Sequence, residues 1–423
     1  MPEITPEDIQ HAEKLIGIEF TDEEREMMLE GLEDLRRYYQ ALRGVDYPND
    51  LLPAFRFDPE LPGEAHPPIH PPASEIARPP LHRPDDLDDL AFWPVSDLAR
   101  GLRQGLFTSV ELTERYLDRL KRYDPQLHCV ITLTEARAMA QARRADEELR
   151  SGVDRGPLHG IPWGAKDLLA VRGYPTTWGA TPYRDQIIDE DAAVVQRLDE
   201  AGAVLVAKLS MGALAWGDVW FGGKTRTPWN TDEGASGSSA GSGAATAAGL
   251  VGFSIGTETW GSIVSPSTRN GITGLRPTFG RVSRHGAMAL SWTMDKIGPM
   301  CRSAEDCAWV FAAIHGRDDR DPTTVNKPFP WPPDLDGESL RLGYLAADFE
   351  KDYRGKENDA RALEVFRAMG IELVPIQLPD YPISALQFIL FVEAATAFDE
   401  LTRSNRDDLL VRQVKDAWPN FFR

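Results

Sequence analysis

The sequence predicts an α/β fold in which helices cover both faces of a β-sheet. From about Asp88 onward, helical patterns alternate with short apolar runs, and this alternation is typical of a sheet between helical layers. The length of 423 residues exceeds what one compact core usually organises, although α/β sheets can run large as a single domain. We therefore expect one large domain with a small appendage.

Residues 1–46 are predicted to form a helical hairpin. Thr5 is suited to be an N-cap, and Pro6 follows it at the first helical position. Thr21 and Glu24 form a capping box before a second run of apolar residues at helical spacing. Both features mark helix starts, so two consecutive helices are expected here.

Residues 47–87 are predicted to be a Pro-rich linker, or strap. Eleven prolines lie within positions 47–84, and proline favours extended backbone over helix or central strand. His66, His70 and His82 also lie in this stretch, but their irregular spacing without supporting carboxylates or cysteines argues against a metal site. No metal ligand is therefore predicted.

Within residues 88–423, local patterns place four elements in order. A capped helix is predicted over 108–122 and a strand over 129–133. An alanine-rich helix is predicted over 134–149, followed by a short buried strand over 204–207. These elements are the first part of the alternating pattern.

Three short segments in the middle of the chain carry residues suited to hydrolytic chemistry. A serine hydroxyl is a weak nucleophile until a neighbouring base takes its proton. A lysine can be that base if burial keeps it neutral, and Lys166 follows an apolar run that is predicted to enter the interior. The segments are Gly160-Ile161-Pro162-Trp163-Gly164-Ala165-Lys166-Asp167, Gly237-Ser238-Ser239-Ala240-Gly241-Ser242 and Gly256-Thr257-Glu258-Thr259-Trp260-Gly261-Ser262-Ile263-Val264-Ser265-Pro266.

In this order, the segments resemble the motifs of the amidase signature family, whose members hydrolyse carboxamides through an acyl-enzyme. The match carries over to Lys166, Ser238 and Ser262. The resemblance implies a mixed β-sheet core and a Ser-cisSer-Lys triad. In that triad Ser262 is the nucleophile, Ser238 follows a cis peptide bond and bridges the proton, and Lys166 is the base. The resemblance implies no metal or organic cofactor.

The resemblance also places an oxyanion hole in the third segment. The backbone N–H groups of Thr259, Trp260, Gly261 and Ser262 are expected to line it, and preorganised donors of this kind stabilise the intermediates of acyl transfer. Trp260 and Ser239 are expected to contact the substrate.

Two competing interpretations of the same segments are weaker. His159 and His285 lie in or near them, but the resemblance gives neither a catalytic part, so structural hydrogen bonding is expected. The glycine-rich stretch 234–243 lacks both the Gly-Lys-Ser/Thr ending and the G-x-G-x-x-G spacing of phosphate-binding loops. Serine-lysine chemistry is therefore the preferred interpretation.

Three residues differ from the commonest family pattern, in which aspartate, glycine and arginine stand at the positions of Glu258, Trp260 and Val264. The run that contains Glu258 and Val264 is similar to the branch with bacterial peptide amidases. Trp260 leaves two effects open, because a bulky side chain there either narrows the acyl pocket or stacks against a flat substrate.

The resemblance begins near residue 95 and continues to residue 423, but it stops well short of the usual length of family members. We therefore expect the catalytic domain, residues 88–423, to be incomplete at its C-terminal end. A helix-like segment is predicted at 411–415.

Charge and cysteine content exclude several functional classes. The formal net charge of −20 repels nucleic-acid phosphates and anionic lipids, so direct binding to nucleic acid or to membranes is not expected. Cys129, Cys301 and Cys307 form neither a paired framework nor a C-x-x-C metal motif. Neither a secretory leader nor a long apolar run is present, and a cytoplasmic location is predicted.

The main hypothesis is hydrolysis of a small-molecule carboxamide to a carboxylate plus ammonia or an amine. One alternative is the glutaminase (A) subunit of a tRNA-dependent amidotransferase, because residues 1–46 resemble the helical C subunit of such enzymes. Another is a catalytically inert amidase-like scaffold that acts by binding, motivated by Trp260 and the short C-terminal part. Both a homodimer and an amidotransferase-type partner subunit remain open.

Overall fold

The computed structural model describes residues 3–45, 48–49, 51, 78–329, 331, 340–414 and 417–422. The chain divides into two units, Met1–Leu51 and Leu52–Arg423. Most of the predicted Pro-rich linker, with His66 and His70, lies outside the described residues. No helix in the described ranges is both long and apolar enough to cross a lipid bilayer.

The first unit contains two helices, α1 (Pro6–Ile16) and α2 (Asp22–Arg43). Each begins with a capping box around a threonine, which satisfies backbone N–H groups that have no partner within the helix. Arg25 of α2 donates to both carboxylate oxygens of Glu13 in α1, at 2.6 and 2.8 Å. This ion pair joins the two helices.

The second unit is built around a mixed β-sheet. The order in the described sheet is β1-β3-β2-β8-β10-β9, with β2 parallel to both β3 and β8 and the remaining pairs antiparallel. The predicted mixed sheet is confirmed. The strands are β1 (Val130–Leu133), β2 (Pro162–Lys166), β3 (Val204–Leu209), β4 (Val219–Trp220), β5 (Gly223–Lys224), β6 (Arg226–Thr227), β7 (Asn230–Gly234), β8 (Phe253–Glu258), β9 (Thr273–Gly274), β10 (Lys296–Cys301), β11 (Arg341–Tyr344) and β12 (Glu372–Pro375).

Helices cover both faces of this sheet. Alternate residues of a strand face opposite sides, and in β3 Leu205 joins one buried cluster whereas Val204 and Val206 join another. The helices of this unit are α3 (Val95–Arg103), α4 (Ser109–Leu127), α5 (Glu135–Arg150), α6 (Ala193–Glu200), α7 (Ala240–Ala247), α8 (Val264–Asn270), α9 (Ala304–Ile314), α10 (Ala346–Glu350), α11 (Lys356–Ala368), α12 (Gln387–Ala397), α13 (Asp399–Arg403) and α14 (Trp418–Phe422). Residues of α6 and α9 lie in the first cluster, and residues of α5 and α7 lie in the second.

The elements predicted from local patterns form close to their expected positions. They correspond to α4, β1, α5 and β3, although α4 continues to Leu127 and β3 to Leu209. The prediction of a helix-like segment at 411–415 was wrong, because residues 411–414 are not helical. There, the Gln413 side-chain amide bonds the carbonyls of Asp407 and Leu410, at 2.9 and 3.1 Å.

The two central parallel strands place two motif segments side by side. Trp163 of β2 lies opposite Phe253 of β8, and their rings stack with centroids 6.0 Å apart. Both side chains are buried, and each such burial contributes roughly 1.5–3 kcal/mol. This packing fixes the register that brings Lys166 and Glu258, the last residues of β2 and β8, to the same edge of the sheet.

Candidate active site

Lys166 is fully buried at the carboxyl end of β2. Its Nζ lies 2.8 Å from Ser238 Oγ, 2.8 Å from Thr257 Oγ1 and 3.0 Å from Ser239 Oγ. All three of these neighbours are hydroxyl groups, which bond either protonation state of an amine. The lysine is therefore held by three neutral groups at once.

Burial lowers the pKa of Lys166 from 10.5 to about 7, because an ammonium loses its hydration in the interior. The negative charges of Asp295 and Glu258 act in the opposite direction and raise this pKa. A substantial neutral fraction is therefore present near neutral pH, as a proton acceptor requires.

The Gly237–Ser238 peptide bond is cis, as the family resemblance implies. The Ser238 side chain is buried and lies directly before α7. A Cβ atom on Gly237 would lie 1.8 Å from the carbonyl oxygen of Gly217. Only glycine fits at this position without movement of the backbone.

Ser239 joins the glycine-serine segment to β8. Its hydroxyl accepts the N–H of Thr257 and donates to the Thr257 carbonyl, both at 3.1 Å. The same hydroxyl lies beside Lys166 and is fully buried. Ser239 thus holds Lys166 and Thr257 in place, while its expected contact with substrate remains a prediction.

Ser262 lies in a turn between β8 and α8. Its carbonyl accepts the N–H of Ser239 at 3.2 Å, which links the two serine segments directly. Gly261 precedes it with a φ of +94°, a left-handed conformation that glycine adopts without a steric penalty. The structure thereby brings all three predicted triad residues into one region.

Glu258 fixes the far end of this turn. Its buried carboxylate accepts the backbone N–H groups of Ile263 and Val264, at 2.8 and 2.9 Å. Those groups belong to the start of α8, where backbone donors lack partners within the helix. The expected oxyanion-hole residues 259–262 are therefore anchored at the end of a central strand on one side and at a helix start on the other.

Thr259 is held by two further residues. Its hydroxyl donates to Asp295 Oδ1 at 2.5 Å, and its carbonyl accepts from Lys296 Nζ at 3.2 Å. The other oxygen of Asp295 accepts the N–H groups of Leu290 and Ser291, at 2.8 and 3.0 Å. Burial raises the pKa of Asp295, although these hydrogen bonds lower it.

Sequence reasoning missed Thr257 and Asp295 as parts of the site. Asp295 belongs to a segment, 295–299, that also resembles the family. However, its bond to Thr259 joins residues 36 positions apart, and no periodicity in the sequence encodes such a contact. Only the antiparallel pairing of β8 with β10 brings them together.

A cavity of about 210 Å³ opens at Ser262. Thr259 and Trp260 form part of its wall, and Trp260 is 41% exposed. The complete lining is Ala215, Trp216, Gly217, Gly237, Thr259, Trp260, Ser262, Leu290, Gln387, Leu390, Phe391 and Trp418. The predicted nucleophile is therefore accessible to a small molecule, and the predicted substrate contact Trp260 is beside it.

The two histidines near the motifs make other contacts. His159 is buried, accepts the N–H of Arg155 at 3.2 Å and lies 3.0 Å from Glu148. His285 lies 3.2 Å from Glu190. Burial lowers the pKa of His159, and these contacts agree with the structural role expected of both histidines.

The fold and these motif contacts define a class of protein, and comparison with known proteins identifies it. The family model described as Amidase matches residues 111–422. This protein belongs to the amidase family.

Its relatives include both amidotransferase subunits and peptide amidases. It is 40% identical over 315 residues to the (A) subunit of glutamyl-tRNA(Gln) amidotransferase from Methylococcus capsulatus, covering 71% of this chain and 63% of that protein. Peptide amidase from Stenotrophomonas maltophilia has a TM-score of 0.68 and 33% identity, over 77% of this chain and 74% of that one. The corresponding amidotransferase (A) subunit of Thermotoga maritima has a TM-score of 0.63 and 26% identity, over 76% and 71%.

The match spans only part of the curated relatives. The first five of these amidotransferase chains are covered over 61–65% of their own length. The activity, substrate and partners of the whole protein are accordingly matters for proposal.

Proposed function

We propose that this protein hydrolyses a carboxamide through an acyl-enzyme formed on Ser262. The observation that carries the proposal is the bond between the fully buried Lys166 and Ser238, next to a cavity at which Ser262 is accessible. A pKa of about 7 for Lys166 gives the site a base at neutral pH without a histidine.

The proposed first step is attack of Ser262 Oγ on the amide carbonyl carbon. The serine proton moves to Ser238 Oγ, and the proton of that hydroxyl moves to neutral Lys166 Nζ. The carbonyl oxygen gains negative charge, which the backbone N–H groups of residues 259–262 would stabilise. Collapse of the intermediate breaks the C–N bond, and the proton returns through Ser238 to the departing nitrogen.

The second half of the cycle uses water in place of the serine hydroxyl. Water attacks the ester carbonyl of the acyl-enzyme and passes a proton through Ser238 to Lys166. The proton then returns to Ser262 Oγ as the ester C–O bond breaks. The products are the carboxylic acid, which ionises at neutral pH, and a regenerated enzyme.

A second candidate is the glutaminase component of a tRNA-dependent amidotransferase. The observation that favours it is the similarity to proteins named as the (A) subunit of such enzymes. In this case a partner protein would take up the ammonia, and release from free glutamine would increase when that partner is added. The buried free thiols of Cys129, Cys301 and Cys307 fit a reducing compartment such as the cytoplasm.

The test is ammonia release from a panel of simple amides, measured on the full chain and on Ser262→Ala. The proposal expects turnover by the wild type and only background turnover by the variant. Thr268→Ala is the matched control, because it removes an exposed hydroxyl from the adjacent helix α8 and should leave turnover unchanged. A folded wild type that turns over none of the panel would favour the inert scaffold.

A further inference from the structure

The cavity at Ser262 has an apolar wall. Six of its lining side chains are aromatic or aliphatic, namely Trp216, Trp260, Leu290, Leu390, Phe391 and Trp418. Among the described residues that line it, none carries a charge. We propose that this site selects amides with an uncharged, apolar acyl group, aromatic groups included, over amides with a charged acyl group such as free glutamine. This inference rests on the proposed function.

Aromatic contacts hold the wall in one arrangement. The rings of Trp216 and Trp418 meet edge to face with centroids 4.6 Å apart. Phe391 stacks on Phe421 at 4.4 Å. Such pairs contribute beyond the area that they bury, so the apolar surface is largely formed before a ligand arrives.

The polar atom of one wall tryptophan is already bonded. Trp418 Nε1 donates to the carbonyl of Leu214 at 2.8 Å, and the side chain is only 3% exposed. Its contribution to the cavity is therefore the apolar face of the ring. Gln387 offers an uncharged amide at the start of α12, and it is exposed.

The charged groups near the wall are engaged elsewhere. Glu393 of α12 accepts from the hydroxyl groups of Ser291 and Thr293. Asp295 is bonded to Thr259 and to the 290–291 turn. These carboxylates brace the wall and do not line the cavity.

Arg412 is the cation that requires a separate test. It lines a neighbouring cavity that shares Trp216 and Trp418 with the first one, and its Nη1 lies near Gly217. If it reached across, it would attract the carboxylate of a substrate such as glutamine. The Arg412→Gln variant therefore belongs in the experiment.

The physical reason for selection is desolvation. Free glutamine carries an ammonium and a carboxylate, and removal of either charge from water is costly unless an opposite charge replaces the lost hydration. An apolar acyl chain instead gains free energy when it leaves water. A site without complementary charges discriminates against the charged substrate at the acylation step.

The first experiment compares kcat/KM for three amides on the wild-type full chain. Pentanamide has the carbon chain of glutamine without its two charged groups, and 3-phenylpropanamide adds an aromatic ring. We expect pentanamide to exceed L-glutamine by at least about tenfold, with 3-phenylpropanamide equal to pentanamide or better. Equal or greater use of glutamine would overturn the inference, and a glutamine preference lost in Arg412→Gln would assign it to that arginine.

The second experiment tests the wall itself with a matched pair of variants. Phe391→Ala should lower kcat/KM for 3-phenylpropanamide by about tenfold, mainly through KM, since it removes a contact made before the chemical step. Phe388→Ala lies one turn away on the same helix, is 71% exposed and does not line the cavity, so it should leave kcat/KM unchanged. Equal effects of the two variants would contradict the inference. The rate at which a methyl fluorophosphonate labels Ser262 should stay the same in both, which checks folding.

The third experiment adds a charge where none lines the cavity. Gln387→Arg should raise kcat/KM for L-glutamine relative to pentanamide by about tenfold, because a guanidinium pairs well with a carboxylate. No change in this ratio would contradict the proposed role of charge.

Failure of the two proposals can be told apart. A folded protein whose Ser262 is not labelled and that turns over none of the amides contradicts the proposed function. Turnover with no preference for neutral acyl groups leaves that function in place and removes the selectivity. Labelling of Ser262 without turnover of either neutral amide also removes it.

Discussion

Lys166 Nζ lies 2.8 Å from Ser238 Oγ, and both side chains are buried. The distance is that of a direct hydrogen bond, so a proton can pass between the two groups without an intervening water. Ser239 and Thr257 hold the lysine from two further directions. This arrangement positions a base for Ser262 and makes several outcomes predictable.

Loss of the base should be severe and should not add to loss of the bridge. Lys166→Ala is expected to lower kcat by about 10² to 10⁴, the usual range for general acid-base catalysis. Ser238→Ala interrupts the same proton path, so the double variant should be little worse than its poorer parent. Steady-state kinetics on both singles and the double variant give the coupling.

The control for that series is Lys224→Ala, which removes an exposed lysine of β5 and should keep wild-type turnover. Fully multiplicative losses in the double variant would mean that Lys166 and Ser238 serve separate steps. Near-wild-type turnover by a folded Lys166→Ala protein would remove the lysine from the mechanism.

Activity should depend on pH through Lys166. The reactive form is the neutral amine, and burial places the pKa of this lysine at about 7. Therefore kcat/KM should fall about tenfold per pH unit below that value and reach a plateau above it. The measurement is a pH profile with an amide that does not itself titrate, and a base-limited decline that begins near pH 8 would be inconsistent with it.

Asp295→Asn should move the acid limb of this profile to lower pH. The carboxylate raises the pKa of Lys166, together with Glu258, so its neutralisation lets the pKa fall further. Lys296 and Arg284 face Asp295 as cations, and both remain in the variant. The pH profile of kcat/KM reports the shift.

A matched control neutralises a carboxylate at the surface. Glu233→Gln removes an exposed charge that is paired with Arg269, and it should leave the acid limb in place. An unchanged acid limb in a folded Asp295→Asn protein would show that Asp295 acts only through its hydrogen bonds to Thr259 and the 290–291 turn.

Gly237→Ala should destabilise the second unit. The new Cβ would meet the Gly217 carbonyl oxygen at 1.8 Å, and a backbone atom cannot rotate away as a flexible side chain can. Overpacking of this kind costs about 1–3 kcal/mol or more in the free energy of unfolding, which denaturant titration measures. The same change at Gly31, in α2, meets nothing within 4 Å and should not destabilise the chain; equal stability of the two variants would argue against the contact.

The sequence predicted most of what local chemistry encodes. Capping boxes, apolar periodicity and the three motif segments located α1, α2, β1, α4, α5 and the three candidate triad residues. The prediction at 411–415 failed because a side chain, Gln413, takes carbonyls that a helix would use. Periodicity alone does not reveal such competition.

Contacts between distant parts of the chain could not be predicted in the same way. Thr259 meets Asp295 only because β8 and β10 pair in one register. The cavity wall likewise combines Trp216 with residues of α12 and α14, nearly two hundred positions later. These contacts depend on the folded topology, and the proposed selectivity depends on them.

The most direct test of the central claim is covalent labelling of the full chain with a fluorophosphonate, mapped by mass spectrometry and timed at several pH values. The account predicts one adduct per chain, on Ser262. The labelling rate should fall as pH drops below about 7, and it should be at least about a hundredfold slower in Lys166→Ala. An adduct on another residue, or an equal labelling rate in a folded Lys166→Ala protein, would contradict the account.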